Sequence, residues 1–171
     1  MNKRLEEAIN AQINAEFWSA YLYLSMAQYF EAEGKPGFAN WFKVQFKEEQ
    51  AHAEIMMNFL NSRDGRVTLM PIDAVPTTWD SPIHAFEETL KHEKKVTSLI
   101  NNIYAIAEEE KDYATRHAFA WFVDEQVEEE QTAKEYIDTL RLIGDNGYGI
   151  YQLDKETVSY NHLTLTSNRE V

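Results

Sequence analysis

Every helix breaker in this chain falls in one of three windows. The six Gly and four Pro lie within residues 34–37, 65–82 and 144–149. The long stretches between them contain nothing that interrupts a helix, so the chain is committed to long helices. Gly34-Lys35-Pro36-Gly37 separates a segment of roughly 3–33 from one of roughly 37–62, with Gly closing one helix and Pro opening the next. Ser81-Pro82 reads as an N-cap followed by Pro in the first turn, and the third segment runs to about Glu110. Asp112 caps a fourth segment that ends near Gly144. Gly147 and Gly149 flank a turn, and residues 150–159 predict a short fifth helix. The expected division is one domain over 1–160 and a polar, loosely held tail over 161–171.

The stretch 63–80 sets the topology. Its roughly 18 residues reach about 60 Å at ~3.3 Å each. A 25-residue helix is about 38 Å long. A hairpin does not need that much chain, so the stretch predicts a crossover running the length of a bundle. The fold class expected is all-α: a four-helix bundle of two antiparallel pairs joined by a long crossover, with a short C-terminal helix.

Each of the four long segments carries an apolar stripe at helical spacing, and each stripe is interrupted at its middle by a glutamate. In the first, Leu5, Ile9, Ile13, Ala20, Tyr23 and Ala27 surround Glu16. In the second, Phe38, Phe42, Phe46, Ala53, Met56 and Leu60 surround Glu49, with His52 at the edge. In the third, Phe86, Leu90, Thr97, Ile100 and Tyr104 surround Glu93. In the fourth, Ala118, Phe122, Ala133, Tyr136 and Leu140 surround Glu129. There Glu125 lies about 40° to one side and Gln126 about 60° to the other at ~100° per residue. Glu48 and Glu128 fall on the flanks, about 100° from the stripe centres, and Asp124 and Glu130 turn away.

Single acids in an apolar stripe are commonly solvated. Four at matched height converge on one place, where uncompensated carboxylates would cost enough to unfold a domain. Two divalent cations would neutralise the four charges. Oxygen-rich ligation with one imidazole suits iron or manganese better than structural zinc. Glu49-x-x-His52 puts both side chains on one turn, as a shared metal needs.

Composition narrows the partners. With 29 acidic and 16 basic residues the net charge is −13, which argues against nucleic acid and anionic membranes. The absence of cysteine removes disulfides, thiolate metal sites and cysteine nucleophiles. No window is apolar enough to span a membrane and the start, MNKRLEE, has no apolar signal region, so a cytoplasmic protein is expected.

Glu16 with Tyr23, FKEEQAHAE (46–54), Glu93, WFVDEQVEEE (121–130) and the ending GYGIYQLDKE (147–156) together resemble the ferritin-like di-iron proteins, and more closely the bacterial non-haem ferritins. The resemblance covers about residues 1–160. It implies ferroxidase chemistry, in which Fe2+ is oxidised by O2 or H2O2 and stored as a hydrated ferric oxide mineral inside a cage of twenty-four copies. It implies three iron sites. The first would use Glu16, Glu49 and His52. The second would use bridging Glu49 with Glu93, Glu129 and Gln126. The third would use Glu48, Glu125, Glu128 and Glu129. Tyr23 would support the site by hydrogen bonding or electron donation.

Two departures matter. Many ferritin-like relatives carry Glu-x-x-His on the fourth helix, where this chain has Gln126-x-x-Glu129, a weaker ligand set. Bacterioferritin holds haem through a methionine where this chain has Gln50, so no haem is expected. The competing readings are a ferritin-like di-metal peroxidase or oxygenase without a storage cage, and a purely structural bundle. Trp121 reads as packing. His84, His92, His117 and His162 show no partner pattern and read as surface or packing residues.

Overall fold

The structure is a computed structural model, and residues 1–161 are described. Five helices make up the fold: α1 (Lys3–Ala32), α2 (Pro36–Ser62), α3 (Pro82–Glu109), α4 (Tyr113–Ile143) and α5 (Gly147–Thr157). The expected all-α bundle with a short terminal helix is what is found. Apart from Asn161, the tail lies outside the described residues, as does His162.

Local signals account for most boundaries. The Ser81 hydroxyl accepts from His84 N at 3.2 Å and Pro82 stands in the first turn of α3. The Asp112 carboxylate accepts from Thr115 N at 3.0 Å and also pairs with Arg63 at 3.1 Å, tying the end of α2 to the start of α4. Lys35, at the start of α2, has no side-chain cap. The cap comes instead from α5, where Asp154 Oδ1 accepts from Phe38 N at 2.9 Å. The fifth helix starts three residues before the expected position. Asn146 caps it through Gly149 N, at 2.9 Å, so Gly147 and Gly149 belong to its first turn rather than flanking it. A Cβ at Gly149 would sit 2.7 Å from Ile143 Cγ2, so α5 packs tightly against the end of α4 at that point.

The long helices pack α1 on α2 and α3 on α4. Side-chain pairs fix the remaining directions. Arg4 meets Glu109 and Tyr23 meets Glu93, so α3 runs antiparallel to α1. Trp41 packs against Tyr136 and Phe59 against Phe119, so α4 runs antiparallel to α2.

The crossover is strapped along α1. Asn10 holds Arg66 O and Thr68 N, Asn14 holds the carbonyls of Met70 and Pro71, and Trp18 Nε1 donates to Ala74 O. Ser25 donates to Pro76 O and the Tyr29 hydroxyl to Trp79 O. These five positions form one face of α1 at helical spacing. They satisfy backbone groups of a segment that has no regular structure of its own.

The core is in two blocks. One is ring-rich, with Phe30, Phe38, Trp41, Phe42 and Phe86. The other is mainly aliphatic, with Leu5, Ile9, Ile13, Met56, Leu60 and Ile100. Each large side chain so buried contributes ~1.5–3 kcal/mol. Together they carry the cost of the layer between the blocks, which is polar. Gln12, Glu16, Gln45, Glu48, Glu49, His52, Glu93, Gln126 and Glu129 are all buried. No helix among the described residues is long and apolar enough to cross a membrane.

Candidate metal centre

The polar layer gathers one glutamate from each long helix, and Glu16, Glu49 and Glu93 are no more than 2% exposed. Glu16, Glu49 and His52 each offer a ligand atom within 4.8 Å of the other two. His52 Nδ1 lies 3.2 Å from Glu49 Oε2 and 3.9 Å from Glu16 Oε2. Gln12, one turn before Glu16 on the same stripe, donates to Glu16 Oε1 at 2.9 Å and orients it. That contact was missed in the sequence, although the i−4 spacing points to it.

On the other side of Glu49, Glu93 is held from two directions. The Tyr23 hydroxyl donates to its Oε1, and Gln126 Nε2 donates to its Oε2 at 3.1 Å. The same amide nitrogen reaches Glu93 O and Thr97 Oγ1, at 3.2 and 3.3 Å. Gln126 is therefore buried more centrally than its 60° offset implied, and only its Oε1 is free to face an ion. Glu130, expected to turn away, is half-buried and accepts from Thr97 Oγ1 at 2.7 Å. The α3–α4 seam is narrow enough for Thr97 to reach across it.

A second triple joins His52, Glu125 and Glu129 within 4.8 Å. Glu48, placed by geometry alone on a flank, is buried beside Glu129, while Glu128 stays exposed. The stripe centres were shifted by part of a turn. Val96, Ile103, Phe119 and Ile137 are buried where Thr97, Tyr104, Ala118 and Tyr136 are half-buried. Trp121 and Phe122 pack edge-on against the His52 ring, at centroid distances of 5.7 Å.

Electrostatics single out the layer. Burial pushes the Glu49 carboxyl well above the usual range, and the nearby Glu16 adds to this. Burial raises Glu129 as well, reinforced by Glu93 and Glu48. Burial raises Glu48 to about 8, partly offset by its hydrogen bond with Glu129. Burial raises Glu93 to about 7, held back by the bonds from Tyr23 and Gln126. Half-buried Glu125 is raised by burial and by Glu128. The Tyr23 phenol is raised by burial and then by Glu93.

Protonating a carboxylate of ordinary pKa 4.5 at pH 7 costs about 3.4 kcal/mol, far less than burying it bare. Protons therefore compete for Glu48, Glu49, Glu93 and Glu129 until a stronger positive charge displaces them. The layer is rich in acceptors and poor in donors. Glu16 Oε2 and Glu48 Oε1 are buried with no hydrogen-bond donor. That donor set fits divalent cations.

His92 closes the layer on the α1–α3 side. Ser19 Oγ is hydrogen-bonded with His92 Nε2 at 2.6 Å and lies 2.9 Å from Ala15 O. The His92 ring meets Tyr23 edge-on. Burial lowers its pKa to about 4, which keeps it neutral. Read from sequence as a surface or packing residue, it is a specific hydrogen-bonded wall.

A long-crossover helical bundle with a waist of five buried glutamates and one histidine is a ferritin-like domain, and the model of the ferritin-like domain family matches residues 6–143. The chain belongs to the ferritin family. It is 44% identical over 156 residues to the bacterial non-heme ferritin of Bacteroides fragilis (strain 638R), covering 91% of this chain and 97% of that protein. It is 38% identical to the bacterial non-heme ferritin of Staphylococcus aureus (strain USA300), over 91% and 94%. The open pore ferritin of the hyperthermophilic archaeon Archaeoglobus fulgidus superposes with a TM-score of 0.93 at 46% identity, over 94% of this chain and 99% of that one.

Proposed function

We propose that this chain is an iron-storage ferritin that oxidises Fe2+ with O2 or H2O2 and deposits a hydrated ferric oxide mineral inside a cytoplasmic cage of twenty-four copies. The observation that carries the reading is the buried Glu16–Glu49–His52 triple set beside Glu93 and Glu129. Iron is the substrate. Glu16, Glu49 and His52 would hold one Fe2+. Glu49, Glu93 and Glu129 would hold a second, with Gln126 Oε1 facing it. Carboxylates favour the higher ionic charge that follows oxidation, and Glu49 between the two ions keeps them close enough to share one oxidant. Each Fe2+ yields one electron, and protons lost from the carboxylates on binding are available to the reduced oxygen species.

Glu48, Glu125, Glu128 and Glu129 would form the third iron position, towards the exposed Glu128. His52 stands within ligand distance of Glu125 and Glu129, so it faces both groups. Tyr23 would position Glu93 and stands ready as an electron donor. The test is aerobic Fe2+ titration of metal-free protein, followed by near-ultraviolet absorbance, with size-exclusion mass in parallel. Saturable oxidation by a particle of several hundred kDa is expected. Absence of saturable oxidation would remove the reading, and oxidation by a small oligomer would favour a di-metal oxygenase or peroxidase instead.

A further inference from the structure

Outside the wall made by His92, a cavity of about 220 Å3 opens between α1, the end of the crossover and α3. Trp18, Leu22 and Met26 of α1 and Trp79 of the crossover line it, so its floor is apolar. Lys91 and Lys95 stand at its rim, one turn apart on α3. Both are exposed, and neither side-chain ammonium has an ion pair or hydrogen bond among the described residues. In a chain with 29 acidic residues and 16 basic ones, two adjacent unpaired lysines over an apolar hollow run against the trend. Glu88 also borders the cavity, so one acid stands with the two lysines at its edge.

We propose that this cavity binds a small aromatic anion: a carboxylate carried on one ring or two fused rings. The size decides the body of the ligand. A dry cavity of roughly 150 Å3 takes a benzene ring, so this one holds a ring with its charged substituent or a bicyclic system. The indoles of Trp18 and Trp79 offer faces and edges to such a ring. The lysines decide the charge. An apolar pocket with a few convergent polar groups is the usual form of a small-molecule site, and here two lysines outnumber the one acid. Metal ions are disfavoured at the same rim by like charge, so the site is separate in chemistry from the carboxylate layer. It is close in space, since His92 lines it and the His92 ring is 5.1 Å from Trp18 and 6.2 Å from Tyr23, which bonds Glu93. The proposal does not depend on the iron reading.

The test is calorimetric titration of assembled, metal-free protein with 2-naphthoate, and with neutral 2-naphthamide as the control. Saturable binding of one naphthoate per chain is expected, weakened about tenfold in the Lys91→Gln/Lys95→Gln variant. Naphthamide should bind wild type and variant alike. Three results would overturn the proposal: no saturable heat with naphthoate, the same naphthoate affinity in the variant, or one naphthoate per two chains, which would place the ligand between copies. The substituted lysines are exposed, so the variant tests charge and not folding.

Discussion

Tyr23 donates its phenol hydrogen to the Glu93 carboxylate at the waist of the bundle. That bond holds the Glu93 pKa below where burial alone would put it. In Tyr23→Phe the donor is lost and Glu93 titrates upwards from about 7. Stopped-flow oxidation of Fe2+ should show a rate at pH 7 reduced several-fold and a pH profile displaced to higher pH. A slower rate with an unmoved profile would mean that Tyr23 acts only as an electron donor.

Removing Glu93 itself is a larger change. Glu93→Ala takes away one carboxylate that no neighbour replaces. It should slow oxidation by more than the ~10–100-fold typical of losing an outer partner of a metal site. Size-exclusion mass should be unchanged, because the two apolar blocks on either side are untouched. An unaltered oxidation rate would withdraw Glu93 from the site.

The raised carboxylates link stability to pH with a definite sign. Glu93 and Glu48 titrate at about 7 and about 8 in the fold, against 4.5 for an ordinary Glu. The folded state therefore binds more protons than the unfolded state between those values. Their contribution is fully present below pH 4.5 and is lost as pH rises through 7 and 8. Thermal melts of chelator-treated protein should give a Tm that falls from pH 5 to pH 8. Glu48→Gln should flatten the fall. Adding a divalent cation at pH 7 should raise Tm and release protons measurable in weak buffer.

The fifth helix is docked by contacts that leave no space. A Cβ at Gly37 would come 1.6 Å from Asp154 O, so Gly37→Ala should displace α5 from the start of α2. Asp154→Ala keeps the space but removes the cap on Phe38 N, a loss of about 1 kcal/mol. Limited proteolysis should cut between α4 and α5 faster in both variants, and much faster in Gly37→Ala.

The helices, their antiparallel pairing and the crossover were legible because breakers and caps act locally, and ten Gly and Pro residues in three windows leave few alternatives. The four waist glutamates were legible because they interrupt otherwise apolar stripes. What periodicity blurred was rotation. A stripe judged at 100° per residue can be off by part of a turn, which is why Val96 and Ile137 were passed over for Thr97 and Tyr136, and why Gln126 seemed peripheral. Contacts between distant segments were not legible at all. Nothing near Asp154 in sequence says that it caps α2. Nothing near Asn10, Asn14 or Trp18 says that their partners lie more than fifty residues on. His92 looked solitary because Ser19, its partner, is on another helix.

The division of the core into two blocks has a consequence for how the bundle breathes. Apolar contact is continuous within each block and interrupted at the layer of acids, so openings that begin at the waist need not propagate to the ends. In hydrogen exchange, amides around Glu49 and Glu93 should exchange through local openings while those around Phe38 and Leu5 wait for global unfolding. Divalent ions bound to carboxylates of four different helices would act as rivets across that seam. Loading should slow exchange at the waist first and most, merging two cooperative units into one.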